Sequence, residues 1–212
     1  MNNNSTDQLT EIKNLMERSS RFLSLSGLSG ISAGIVALIG SLYAFFYLNY
    51  DLRYFDPASF FTETDRNLDL YRFLMPLMAD ALIILVLALG FALFFTVRKA
   101  KKQGNVLWSN VSRLLLLNLA IPLAAGGIFC LILLYYKIIF LIAPSTLIFY
   151  GLALINAGKY TLSVIRWLGI SEVVLGLIAA VFAGYGLLVW AVGFGVLHII
   201  YGSVMYYRYE RN

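Results

Sequence analysis

Three ionisable side chains interrupt long uncharged stretches of this sequence: Asp80, Glu172 and His198. Inside a membrane such groups are costly unless paired or hydrated, so each marks a place where chemistry or a specific contact is wanted. Glu172 and His198 lie thirteen residues before and thirteen residues after Tyr185. A chain that turns back at Tyr185 therefore brings an acid and an imidazole to one depth. Their helical faces agree as well: Glu172 shares a stripe with Gly176, Ala179 and Ala183, and His198 shares one with Ala191, Gly195 and Gly202. A carboxyl group opposite an imidazole can fix helix register as a satisfied polar contact, help bind a ligand, or exchange a proton. The imidazole suits the last role because it titrates near neutral pH.

Two amides extend the constellation. Asn118, a turn into the third apolar stretch, and Asn156, near the end of the fourth, fall at comparable depth. With Glu172 and His198 they outline a polar pocket in the inner half of a membrane. Pro122, one turn after Asn118, lets its helix bend around that pocket. Asp80 enters from the opposite side, about 10 Å deep by helical rise, and belongs to a separate outer site.

Several chemistries are disfavoured by what the chain lacks. One histidine and one cysteine, Cys130, supply neither a multi-histidine nor a multi-cysteine metal centre, and an intrachain disulfide is impossible. No H-E-x-x-H, G-x-S-x-G, Walker or dinucleotide fingerprint is present. Ser171 adjoins Glu172, but consecutive helical residues point about 100° apart, which speaks against a Ser171, Glu172 and His198 acyl-transfer set. No metal or cofactor is expected.

The elements that must position these residues follow from hydropathy. With 60% apolar residues, 13% charged residues and a mean hydropathy of +0.80, the chain is far from the composition of a water-soluble domain. Its uncharged runs are each long enough to cross a hydrocarbon layer of about 30 Å. The last, Val173 to Tyr207, is 35 residues and must fold back, which Ala183-Gly184-Tyr185-Gly186 permits. The expected architecture is an all-α, polytopic bundle of six transmembrane helices near 23–47, 73–97, 113–135, 138–157, 168–183 and 187–207. An amphipathic segment, 1–22, precedes it on the inner surface, and a short tail, 208–212, follows. The first helix reads as a retained anchor. Its Ser26, Gly30 and Gly34 line one face and predict close packing within the chain. Pro122 and Pro144 predict kinks in helices three and four, and no inverted repeat is apparent.

Lys and Arg fix the orientation. With both ends cytoplasmic, twelve of the sixteen fall inside and only Arg53, Arg66, Arg72 and Lys137 fall outside. The net charge of +5 thus follows from topology, and no nucleic-acid partner is expected. Arg98, Lys99, Lys101 and Lys102 end helix two and suit anionic lipid head groups. The acidic and aromatic connection from Asn49 to Tyr71 is the one sizeable outer loop.

Two stretches, EIKNLMERSSRFLSLSGLSGISAG from Glu11 to Gly34 and GFGVLHIIYGSVMYYRYER from Gly193 to Arg211, give the chain a resemblance to an uncharacterised family of six-helix integral membrane proteins from Bacteroidota-type bacteria. The resemblance implies a bacterial inner-membrane location and contributes no activity or site residue. Some members carry a β-carotene monooxygenase label. Carotenoid oxygenases hold iron with four histidines on a β-propeller, so one histidine argues against it here. Three functions remain open at this point: binding or sensing of a lipid or small molecule through the inner pocket, proton- or cation-coupled transport, and lipid modification with His198 as base.

Overall fold

The computed structural model describes residues 22, 24–48, 67–104 and 107–211. The segment 1–21 and the connection 49–66 lie outside the described residues, and with them the amphipathic helix and most of the acidic loop. Among the described residues six helices are long and apolar enough to cross a membrane. They are α1 (Gly27–Tyr47), α2 (Asn67–Gln103), α3 (Asn110–Tyr135), α4 (Ile142–Ala157, spanning Ile139–Ala157 with the 3-10 turn before it), α5 (Ser163–Val181) and α6 (Gly186–Tyr209). The all-helical transmembrane bundle read from the sequence is the fold observed.

Local signals set the helix ends more sharply than hydropathy does. α2 extends beyond its apolar core at both ends; at the C-terminal end Arg98, Lys99, Lys101 and Lys102 are good helix formers in water, and the helix stops where Gly104 turns left-handed at φ 65°. α3 begins at a reciprocal cap in which Ser109 Oγ accepts from Ser112 N at 3.2 Å and Ser109 N donates to Ser112 Oγ at 2.7 Å. It ends with Lys137 at φ 61°, where Ile138 N reaches Leu133 O at 2.8 Å and Lys137 N reaches Leu134 O at 3.0 Å. This is the left-handed helix ending that glycine usually serves, occupied by lysine. The short link sends α4 back alongside α3 through a 3-10 turn, Ile139–Leu141. Pro144 then falls in the first turn of α4, where its missing N–H has no helical partner to lose. The kink expected there is replaced by a helix start.

With lipid offering no hydrophobic drive between helices, packing depends on how closely backbones approach. α1 lies on α6 with Gly27, Gly30 and Gly34 against Gly195 and Gly202; a Cβ added to Gly202 would come 2.7 Å from Gly27 O. Gly151 and Gly169 bring α4 onto α5 in the same way, each facing the other's carbonyl. The small-residue stripes of α5 and α6 therefore turn mainly outward from the hairpin, that of α5 onto α4 and that of α6 onto α1. α2 packs chiefly on α1, and α3 chiefly on α4, leaving both with broad exposed apolar faces.

One end of the bundle is tied by polar contacts. Glu210, just past α6, accepts from Ser26 Oγ at 2.9 Å and from the first backbone N–H of α1, Gly27. Lys99 of α2 reaches Glu210 Oε1 at 3.4 Å and Leu25 O at 2.6 Å. The α4–α5 connection joins the same end, with Phe22 N on Tyr160 O and Thr161 Oγ1 on Phe22 O, both at 2.7 Å. Lys99 is thus turned inward at 8% exposure, and of the four basic residues assigned to head groups only Arg98, Lys101 and Lys102 face out.

Candidate functional site

Glu172 occupies the middle of α5 and is fully buried; His198 on α6 is 6% exposed. Their closest approach is 3.4 Å, from His198 Nδ1 to Glu172 Oε1. The fold-back that allows this runs through a 3-10 turn at Ala183–Tyr185. A second local feature completes the geometry: α6 is α-helical over Gly186–Trp190, widens to a π-helix over Ala191–Leu197, and is α-helical again from His198. Such bulges insert an extra residue into the helical ladder and gather at functional sites. Here the bulge presents the Gly193 carbonyl to the ring, 3.1 Å from His198 Nδ1. It also sets the bare Cα of Gly193 against the acid, since a Cβ there would lie 2.6 Å from Glu172 Oε2.

A third side chain closes the site from α4. Tyr150 Oη lies 2.8 Å from His198 Nε2, and its ring lies 5.4 Å from the imidazole and 5.0 Å from Phe194. Phe194 in turn packs on Trp190 and on His198. The imidazole is thereby held between aromatic faces, with both nitrogens partnered.

These contacts assign the protons. A carbonyl oxygen only accepts, so Nδ1 carries hydrogen and donates to Gly193. In the neutral ring Nε2 accepts from the Tyr150 hydroxyl. When the ring gains a second proton, Nε2–H donates instead and the Tyr150 oxygen accepts. Glu172 Oε1 stands within ion-pair distance of Nδ1 but off its hydrogen-bond line, and neither carboxyl oxygen finds a hydrogen-bond partner among the described residues. A buried bare carboxylate is expensive. Two placements of one proton relieve it: neutral carboxyl beside neutral imidazole, or carboxylate beside imidazolium. Gly193 O at 3.1 Å and Glu172 Oε1 at 3.4 Å both lie near the same Nδ1–H.

The two amides lie elsewhere. Asn118 Nδ2 donates to Leu114 O at 2.8 Å, Asn156 Nδ2 reaches Asn118 O at 3.4 Å, and Lys159 Nζ donates to Asn156 Oδ1 at 3.1 Å. They form a polar seam between α3 and α4 that runs toward Lys159, so the four-residue pocket expected from depth alone resolves into two separate groups. Depth itself differs: Gly151 of α4 faces Gly169 and Gly158 faces Arg166, which sets Glu172 level with Tyr150, and Asn156 lies six residues, about 9 Å of helical rise, farther along. Asp80 sits on the α1–α2 seam beside Gly40. Ser171 Oγ bonds Trp167 O at 3.1 Å and Tyr201 Oη at 3.0 Å, away from the acid. Among the described residues no three His, Cys, Asp or Glu side chains gather as a metal site.

Sequence reasoning missed Tyr150 and the π-bulge. Tyr150 is one tyrosine among fourteen and carries no spacing signal. The bulge has a faint one: two glycines two apart, Gly193 and Gly195, one turn before an intramembrane histidine. Comparison of the chain with protein-family profiles, with functionally characterised proteins and with solved structures gave no match.

Proposed function

We propose that this chain is a proton-handling integral membrane protein, and that proton- or cation-coupled transport is the class of activity its core serves. The observation that carries the reading is Glu172, fully buried, without a hydrogen bond, at 3.4 Å from an imidazole seated on a π-bulge. Intramembrane acids and histidines characteristically relay protons, and irregular helices at membrane depth accompany moving ions. Moving the Nδ1–H between Gly193 and Glu172 changes what holds the bulge, which links proton position to the shape of α6 between α1 on one side and α4 and α5 on the other.

The clustering of exposed basic residues at the end shared by α1, α2 and α6 supports a cytoplasmic placement of that end. Together with the family resemblance this favours a bacterial inner membrane. Binding of a lipid or small molecule in a pocket of Glu172, His198, Asn118 and Asn156 fits less well, since the amides point into another seam and the acid is sealed. Lipid modification finds no serine or cysteine beside His198, whose polar neighbours are Tyr150 Oη, Gly193 O and Glu172.

Infrared difference spectroscopy across pH steps tests the reading. A carboxyl C=O band that appears and disappears in the wild type and is absent from Glu172→Gln is the expected result, accompanied by pH-jump currents on supported membranes that the variant abolishes. A protein in which neither Glu172 nor His198 changes protonation at any pH that leaves it folded would refute it.

A further inference from the structure

α2 leaves most of its surface without a protein neighbour: it packs chiefly on α1, and Leu93 and Phe94 are 66% and 58% exposed. Toward its basic end Leu93, Phe94, Val97, Arg98 and Lys101 lie side by side on this one helix. Positions 94, 97, 98 and 101 follow helical spacing and share one face. An apolar strip about one turn long therefore runs directly into two cations. The basic cluster is not uniform around the helix. Lys99 turns inward to Leu25 and Glu210, and Lys102 is exposed to one side of that face.

We propose that this face binds one anionic phospholipid, its phosphate on Arg98 and Lys101 and an acyl chain along Val97, Phe94 and Leu93. Charge and apolar surface select the occupant together. A soluble anion would satisfy only the cationic end, and a neutral lipid only the strip; an amphiphile with a negative head satisfies both. Arg98 adds directionality, since a guanidinium grips phosphate through two parallel donors where an ammonium acts as a point charge. The site is independent of the proton chemistry at Glu172 and stands or falls without it.

Native mass spectrometry of the full chain, equilibrated with equal phosphatidylglycerol and phosphatidylcholine, tests the proposal. The wild type should retain phosphatidylglycerol preferentially. R98Q/K101Q should weaken that binding about 30-fold, from roughly 1 kcal/mol for each basic residue, and K102Q should leave it unchanged. Equal retention by wild type and R98Q/K101Q, or full displacement of the lipid by glycerol phosphate, would overturn the assignment. A photoactivatable phosphatidylglycerol applied to the wild type should label peptide 93–101; labelling confined to other helices would also overturn it.

Discussion

Gly193 and Tyr150 decide the chemistry of the core although neither is ionised. Gly193→Ala would drive a methyl group into Glu172 Oε2 and Leu147 Cδ2. Overpacking of this kind costs about 1–3 kcal/mol, so a lowered thermal midpoint in detergent is expected, with the largest structural change at Glu172. Tyr150→Phe keeps the ring stacking and strips Nε2 of its partner, at a cost of about 1–3 kcal/mol for a buried group left unsatisfied. Because the chain has a single histidine, its ring nitrogens can be followed by 15N NMR without ambiguity. The wild-type ring should show a protonated Nδ1 and an accepting Nε2, and the variant should shift the Nε2 resonance; an unchanged spectrum would remove Tyr150 from the site. At this scale the sequence was readable wherever a residue was chemically out of place. An acid and an imidazole in apolar runs announce themselves. A tyrosine among aromatics or a glycine among glycines does not, because its role depends on a neighbour from another helix.

Helices were readable as spans and poorly readable as shapes. Hydropathy marks where lipid begins, whereas a helix ends where its hydrogen bonds do, which is why α2 covers Asn67–Gln103 around an apolar stretch expected over 73–97. The symmetry of Glu172 and His198 about Tyr185 correctly joined two helices, yet it assumed uniform winding. The π-bulge spoils uniform winding beyond residue 191, and the faces that looked made for α5–α6 contact meet α4 and α1. Two element-level outcomes follow. Lys137→Gly should stabilise the protein by about 1 kcal/mol, because the left-handed backbone there disfavours a Cβ; a drop in thermal midpoint would show that the lysine side chain outweighs that strain. Gly202→Leu should separate α1 from α6, since even one added carbon meets Gly27 O and Ile31 N at 2.7 Å. Cysteine cross-linking between the two helices would then fall, and undiminished cross-linking would contradict the packing.

Across the whole molecule, the tie among Lys99, Glu210, Ser26 and Gly27 joins three helices that are distant in sequence. Removing one member of a shielded ion pair is more disruptive than removing both, because the survivor keeps its burial and loses its partner. Lys99→Met and Glu210→Gln should each destabilise by a few kcal/mol, and the double variant by less than their sum, as a double-mutant cycle on detergent unfolding would register. Additive losses would mean that the two charges act independently. No pattern of hydropathy could have announced this tie, since Lys99 reads as one member of a solvated basic run and Glu210 as part of a polar tail. The pairing of α1 with α6 also carries a consequence for biogenesis. α1 presents a ridge of glycine and serine whose protein cover, α6, is made only after the four helices between them. Until α6 emerges that ridge must rest against lipid or the insertion machinery, and the core around Glu172 lacks its imidazole throughout. A nascent chain halted before residue 186 should therefore sit in the membrane as an unsealed bundle, recognisable to quality-control proteases.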